Sequence, residues 1–375
     1  MIKALFDSQI FNEQKFGGIS RYYSEIFDEL KNHNEIEVIC PIHYTENIHL
    51  KDSVFFEKSF HSKNSILIKY SKIFRPYLPR KLKRKNEERT IELLKKQDFD
   101  LFIPTYYDPY FLAYLREKPF VLTIHDMIHE LYPQYFLNDP FTIYNKKILI
   151  EKASRIIAVS ENTKKDILRI YPNIDSKKID VIYLAHQNKK EKELDIELPE
   201  KYILFVGKRT LYKNFDFFIK AAAPLIKEND KLFILCAGDH PFDDIELRLI
   251  NELGINGRVL HMNFRDAELV NYYRRALCFV FPSEYEGFGI PILESMAYGC
   301  PILLTNNSSF PEIAGYAGIY FELNNATDLR DKLSSLMSND EMRHHYKQKG
   351  IKQASKFTWQ KTATDTLKAY HKALT

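Results

Sequence analysis

Glu286 and Glu294 stand with seven residues between them, and that interval opens with Gly287-Phe288-Gly289 followed by Ile290-Pro291. The stretch around them, FVFPSEYEGFGIPILESMAYG (279–299), reads as strand, glycine loop and helix, with Pro291 suited to the first helical turn and Gly299 to the position after the last. Backbone N–H groups of Gly287 to Ile290 would be unpaired at such a helix start, and glycines let an anion come close to the main chain. In the plainer reading, Glu294 sits in the first turn to stabilise the helix dipole and the glycines only make a tight turn. That reading leaves Glu286 unexplained. An acid beside a phosphate cradle repels the phosphate unless it is aimed elsewhere, for instance at hydroxyl groups, which carboxylates accept strongly. Acids flanking an anion site suit a ligand with a phosphate centre and hydroxyl-rich ends, as in a sugar nucleotide.

A second constellation lies in FVGKRTLYKNFDFFIKA (205–221), where a strand ends at Gly207 and a helix is expected from about Asn214. Arg209 and Lys213 fall in the turn between them. Cations there can reach a diphosphate and stabilise the charge that grows as it leaves, although either residue alone is more often a surface charge. In the first half, Gly17-Gly18 precede a helix in NEQKFGGISRYYSEI, and LTIHDMIHELYP puts His125 and Asp126 directly after a strand. A buried, hydrogen-bonded structural histidine is the bland alternative for His125.

These residues need a frame that gathers strand ends. Apolar runs recur at IKALF (2–6), IEVIC (36–40), FDLFIP (99–104), PFVLTIHD (119–126) and RIIAVS (155–160), separated by amphipathic stretches such as GISRYYSEIFDELKN and SENTKKDILRIYP. The alternation pauses at HQNKKEKELDIELPEKY (186–202), a charged stretch with the character of an interdomain linker. It restarts at YILFVG (202–207), KLFILCAG (231–238), RVLHM (258–262), CFVFPS (278–283), PILLT (301–305) and AGIYFE (317–322). Strand alternating with helix predicts α/β doubly wound parallel sheets, in two halves, with ligands beyond the carboxyl ends of the strands.

The 375 residues exceed one ordinary domain, and 45% hydrophobic with 28% charged residues is a globular composition that excludes disorder. No run approaches a membrane span, and the first residues lack the apolar core of a signal peptide, so a cytoplasmic chain is expected. Cys40, Cys236, Cys278 and Cys300 lie far apart without zinc spacing and read as reduced core residues. A net charge of +4 does not call for nucleic acid. One segment, KYSKIFRPYLPRKLKRKNEER (69–89), mixes basic and aromatic residues in a way that fits either anionic lipid headgroups or a solvated charged face.

Taken together, the Glu286–Glu294 signature within PSEYEGFGIPILESMAYGCPILLTNNSSFPEIAG, the FVGKRTLYKN turn, FGGISRYYSEI, TIHD and AVSENTKKDI resemble the retaining GT-B glycosyltransferases of the large fourth family, whose members include many bacterial mannosyltransferases. The resemblance covers nearly the whole chain. It implies two Rossmann-like domains facing a deep cleft: an acceptor-binding domain over 1–185, a nucleotide-sugar-binding domain over 186–355, and a final helix at 356–375 (SKFTWQKTATDTLKAYHKAL) returning to the first domain. By position, it implies that Glu294 holds the ribose hydroxyls and Glu286 contacts the transferred sugar. Arg209 and Lys213 would take the diphosphate beside Gly207, and the amides of Gly287, Phe288, Gly289 and Ile290 would bind the donor sugar or its phosphate. Gly17 and Gly18 would close over the diphosphate, and His125 would sit at the sugar and acceptor. Two departures are VIYLAHQ (181–187), which replaces an Asn-Gly common at the linker, and LHMNFRDAEL, which lacks a glycine before the base-binding turn near Phe264 and Arg265.

The reaction implied is transfer of a sugar, with a mannose-type group from a GDP donor as the first expectation, onto a growing O-antigen, lipopolysaccharide or capsule glycan by front-face substitution. The donor is a nucleotide-sugar substrate, the acceptor a glycan or polyprenyl-diphosphate-linked saccharide, and no cofactor or metal is required. Peripheral contact with the inner face of the plasma membrane through 69–89 accompanies this reading. The alternatives are a UDP-sugar-dependent GT-B enzyme and, from another class, a nucleotide-sugar-binding protein without turnover. Two acids at one helix start do not make the opposed carboxylates of a glycoside hydrolase.

Overall fold

The structure is a computed structural model that describes residues 1–53, 78–186, 196–209, 211–238, 240–263 and 266–375. The chain divides into two compact units, one formed by Met1–Leu184 with Trp359–Thr375 and the other by Ala185–Thr358. Part of the charged linker expected at 186–202 lies outside the described residues. Among the described residues no helix is long and apolar enough to cross a membrane.

In the first unit the strands are β1 (Ile2–Phe6), β2 (Ile36–Ile39), β3 (Leu101–Ile103), β4 (Val121–Ile124), β5 (Arg155–Ala158) and β6 (Ile179–Val181). They form two parallel ladders, β2-β1-β3 and β4-β5-β6, joined by a single parallel bridge between Phe102 and Phe120. Central strands such as Leu101–Ile103 and Val121–Ile124 are buried along their whole length. That is why they read as continuous apolar runs rather than alternating ones. Strand β6 has no strong apolar run to announce it. It is a short edge strand, held by Arg155 Nε donating to Asp180 at 3.1 Å and by Lys372 Nζ at 2.6 Å from the same carboxylate.

The last helix, Trp359–Leu374, packs within this unit. Its Tyr370 meets Phe6 edge-on at 6.4 Å, its Trp359 ring lies 6.3 Å from Tyr22, and Thr362 donates to the Tyr183 carbonyl at 2.8 Å. An amphipathic helix without this partner face would be marginal alone, because helix stability comes mostly from such packing.

In the second unit β7 (Lys201–Val206), β8 (Leu232–Ala237), β9 (Val259–Met262), β10 (Cys278–Phe281), β11 (Ile302–Thr305) and β12 (Gly318–Phe321) form one parallel sheet in the order β12-β11-β10-β7-β8-β9. Its core gathers Ile203, Phe218, Ile234, Val280, Leu303 and Leu329 from strands and covering helices. Cys236, Cys278 and Cys300 are buried free thiols in this unit, and Cys40 is a half-buried free thiol in the other.

Both sheets are wound in two directions from one strand. In the second unit the chain runs outward from β7 through β8 to β9, then returns to lay β10 on the other side of β7. In the first it steps from β1 to β2 and then places β3 on the opposite side of β1. At such a reversal the connecting helices go to opposite faces, and a crevice opens beyond the strand ends.

Candidate active site

The reversal between β7 and β10 is where the second unit collects its chemistry. Gly207 closes β7 with φ of +102°, a conformation that L side chains rarely adopt, and donates its N–H to the Ala237 carbonyl at 2.9 Å. A 3-10 turn at Leu211–Lys213 follows, and helix Phe215–Glu228 begins after Asn214. Beyond β10, the Glu284 N–H donates to the Tyr212 carbonyl at 2.8 Å, tying the two loops together across the reversal. Lys213 Nζ forms an ion pair with Glu286, with the lysine side chain 20% exposed and the carboxylate 16%. The ammonium also lies over the rings of Tyr212 at 5.0 Å and Phe281 at 5.7 Å. These aromatic faces add a cation–π attraction to a pair that stays partly open to water.

The glycine loop is held from the neighbouring strand. Ser308 Oγ accepts the Glu286 N–H at 3.1 Å, while Ser309 Oγ lies 3.0 Å from the Glu286 carbonyl and 2.9 Å from that of Phe288. Thr305 donates to the Ser283 carbonyl at 3.1 Å. Gly289 then caps helix Ile290–Ala297 with φ of +93°, and a Cβ there would meet Ile292 Cδ1 at 2.7 Å. Backbone conformation and space therefore both favour glycine at this position. Gly287 and Phe288 are buried, with the Phe288 ring 6.2 Å from Phe357.

Two expectations are corrected here. Glu294 does not fall in the first helical turn: the helix starts at Ile290, so Glu294 is one turn in and buried, with Tyr273 Oη 3.4 Å from its carboxylate. Arg209 is not presented as a cation of the turn. Its side chain is 0% exposed, with Nε 2.7 Å and Nη2 3.2 Å from the Glu246 carboxylate. Nη2 also donates to the His240 carbonyl at 2.6 Å, and Nη1 to that of Gly238 at 3.3 Å. The guanidinium stacks over Phe242 at 4.8 Å. Glu246 in turn closes a capping box with Asp243 at the start of helix Asp244–Glu252. The physical reason is the planar fork: a guanidinium can satisfy a carboxylate and two carbonyls at once, which suits a buried tie between loops.

In the first unit, Gly17 and Gly18 stand at the start of helix Gly18–Leu30, and the Ser20 N–H of that helix donates to the Gln14 side chain at 3.2 Å. The same helix carries Tyr22 and Tyr23, whose rings lie edge-on to His125 at 5.4 and 6.0 Å. His125 follows β4, donates its backbone N–H to Tyr107 Oη at 3.1 Å, and is buried. Its Nε2 has no hydrogen-bond partner among the described residues. Burial lowers the imidazole to about 4, with Asp126 and Lys146 acting in opposite directions on it. His125 is therefore neutral at pH 7. Phe264 and Arg265 lie outside the described residues.

The basic stretch 69–89 is described only in its later part, within helix Leu78–Lys96. There Arg84 pairs with Glu88 at 3.0 Å, Arg89 pairs with Glu92 at 2.9 Å, and Lys83 Nζ is turned to the Asn12 carbonyl. Arg84, Lys85, Glu88 and Arg89 are exposed here, while Asn86 is buried.

Residues not singled out from the sequence prove central to the loop: Asn307, whose side-chain amide donates to the Glu284 carbonyl, with Ser308 and Ser309 after β11, and Glu246 beside Arg209. Each had a signal. The polar run NNSS follows a predicted strand's carboxyl end, and DDIE is a capping-box pattern ahead of a helix.

With this geometry in place, comparison with known proteins identifies the family. The model for "Glycosyltransferase Family 4" matches residues 16–185, and that for "Glycosyl transferases group 1" matches residues 186–353. The chain belongs to the family 4, group 1 glycosyltransferases. It is 28% identical over 280 residues to an O-antigen chain mannosyltransferase B of Escherichia coli, covering 71% of this chain and 73% of that one. It is 32% identical to an N-acetylgalactosaminyltransferase of Campylobacter jejuni that acts on a diphospho-undecaprenol-linked saccharide, covering 62% of this chain and 65% of that one. Among solved structures, a sucrose-phosphate synthase from Thermosynechococcus elongatus superposes with a TM-score of 0.73 at 16% identity, over 98% of both chains. The fold is GT-B.

Replacing Arg209 by Ala removes one partner of a buried ion pair and leaves Glu246 uncompensated. A loss of about 3–5 kcal/mol is expected, the scale for breaking such a pair. Calorimetry should show the second unit's transition falling sharply. An exposed ligand-binding cation would instead leave that transition in place.

His125 also makes a pH prediction. The folded protein holds fewer protons on this ring than the unfolded chain between about 4 and the ordinary 6.5. Its contribution to stability is therefore complete above 6.5 and is lost as pH falls toward 4. Relative to His125→Asn, wild type should lose roughly 3 kcal/mol across that window, at about 1.36 kcal/mol for each pH unit between the two values. The fluorescence of Trp359, the chain's single tryptophan, reports unfolding of this unit in urea. A pH-independent difference between the two proteins would contradict the assignment.

Proposed function

We propose that this chain transfers a mannose-type sugar from GDP to a hydroxyl of a bacterial surface glycan, such as an O-antigen, with retention of anomeric configuration. The observation that carries the reading is the Lys213–Glu286 pair at the β7/β10 reversal, beside the glycine loop that heads helix Ile290–Ala297. In this scheme the helix N-terminus and Lys213 meet the diphosphate, Glu286 accepts hydroxyls of the transferred sugar, and Glu294 those of the ribose. Arg209 acts through structure, by holding the loops at Gly238 and His240 around the crevice.

The bond between the anomeric carbon and the diphosphate oxygen breaks as that carbon bonds to the acceptor oxygen on the same face. The departing diphosphate oxygen takes the acceptor's proton, so no separate base is needed. Charge grows on the diphosphate during this step, and a fixed cation with helix N–H groups lowers the barrier because neither must reorganise. A neutral His125 at the acceptor side would donate or accept hydrogen bonds to sugar hydroxyls without adding charge. The scheme calls for no metal. Mannose as the donor sugar is supported by relatives named O-antigen chain mannosyltransferase, and a glycan acceptor by those names and by the Campylobacter jejuni enzyme. Contact with anionic membrane through 69–89 would bring the enzyme to a lipid-linked acceptor, and it remains part of the proposal.

Lys213→Ala should lower turnover at least ~10²-fold, the scale for losing one preorganised charge-stabilising donor, with the melting temperature little changed. GDP should raise the wild-type melting temperature more than UDP at equal concentration, since binding to the native state adds stability. Wild-type turnover in Lys213→Ala would remove the diphosphate role, and a clear preference for UDP would replace the donor.

A further inference from the structure

Lys146 lies within helix Phe141–Lys152 with its side chain 0% exposed. Burying an ammonium is costly unless it is paired and hydrogen-bonded, so its partners show what it is for. Nζ donates to the Glu130 carboxylate at 2.8 Å and to the main-chain carbonyl of Asp126 at 2.9 Å. It also lies over the Tyr107 ring, 5.3 Å from its centre, and 3.9 Å from Asp126 Oδ1. The helix that carries it is itself fixed. At its start Asp139 accepts the Thr142 N–H at 3.3 Å and the Thr142 hydroxyl at 2.7 Å, and further on Leu149 and Ile150 enter the core.

As a device for stability the Lys146–Glu130 pair is a poor one. The Glu130 side chain is 3% exposed, and its second oxygen, Oε1, has no hydrogen-bond partner among the described residues. Burial holds that carboxyl above its ordinary range, against the pull of Lys146. Two desolvated charges of this kind can often be replaced by apolar side chains without loss of stability. The bond from Lys146 to the Asp126 carbonyl points to a different task.

We propose that Lys146 is the positioning residue for His125, clamping the backbone on which the imidazole is carried so that the ring keeps one orientation beyond β4. Strand β4 ends at Ile124, so the peptide groups that follow must find partners other than a neighbouring strand. Tyr107 Oη accepts the His125 N–H at 3.1 Å on one side, and Lys146 donates to the Asp126 carbonyl at 2.9 Å on the other. The ammonium–ring contact joins these two partners to each other. The His125–Asp126 segment is thus gripped at both ends by one connected unit. Its ring stands edge-on to Tyr22 and Tyr23, and its Nε2 makes no hydrogen bond among the described residues. Backbone placement and ring packing therefore set where that nitrogen points. The consequence for catalysis rests on the transfer reading above; the clamp itself does not.

The test uses the full chain with 13C-labelled histidine. In wild type the His125 ring should give NOEs to the Tyr22 and Tyr23 rings, and it should stay neutral from pH 7 down to about 5, since burial lowers it to about 4. Lys146→Met should weaken those NOEs. It should also let the ring begin to protonate in that window, because the lost ammonium opposed protonation while Asp126, which favours it, remains. With GDP-mannose as donor and methyl α-mannoside as acceptor, kcat should fall on the order of 10- to 10²-fold, the scale for a small misplacement, with the KM for GDP-mannose unchanged. Lys146→Met leaves the Glu130 carboxylate buried without its cation, so Lys146→Met with Glu130→Leu is the second variant. No lone charge remains there, and its melting temperature should return toward wild type while kcat and the NOEs stay low. Unaltered NOEs and titration in Lys146→Met, or wild-type NOEs and kcat in the double variant, would each overturn the proposal. A wild-type chain that shows the NOEs and their loss in Lys146→Met, yet transfers sugar from no nucleotide donor, would sink the transferase reading and leave the clamp standing.

Discussion

A parallel sheet wound in both directions from one strand must open at the point of reversal. Right-handed crossovers place the helices on opposite faces there, so two loops leave adjacent strand ends in opposite directions and cannot cover each other. In the second unit those loops follow β7 and β10, and the Lys213–Glu286 pair bridges them together with the Glu284 to Tyr212 backbone bond. In the first unit they follow β1 and β3, bridged by Asp7 and Thr105. The site residues gain their meaning from this constraint. Elsewhere on the sheets the same side chains would be surface charges.

Each bridge is polar for a reason. The gap between the loops exposes main-chain groups that strands cannot pair, and buried main-chain N–H and carbonyl groups left alone are costly. Asp7 answers two N–H donors and two side-chain donors at once. Its burial nevertheless pushes its own ionisation up to about 6. Ser308 and Ser309 do comparable work around Glu286. The crevices thus stay open because short polar side chains, rather than packing, hold their rims.

The two ion pairs of the second unit show how depth divides labour. Arg209 and Glu246 are nearly sealed from solvent; the guanidinium also donates to the Gly238 and His240 carbonyls and the carboxylate also accepts the Asp243 N–H, so desolvation is offset only while every partner is present. Such a pair holds loops. Lys213 and Glu286 remain partly open to water at the crevice, where an ammonium can exchange one anionic partner for another at modest cost. Such a pair can meet a ligand.

Much of this was legible in the order of residues. Period and run length marked most strands of both units, because fully buried parallel strands are continuously apolar. Gly207 and Gly289 marked the turns that close β7 and open helix Ile290–Ala297, because few residues tolerate a positive φ. The edge strand Ile179–Val181 escaped, since its pairing rests on Arg155 and Lys372, distant in sequence. The burial of Arg209 escaped for the same kind of reason. A cation in a turn carries no local mark of whether a carboxylate 37 residues later will bury it. Local chemistry, turn geometry and periodicity were thus determined by the sequence itself. Which charges face a crevice and which are sealed behind it depended on contacts between distant segments, and only the tertiary structure decided that.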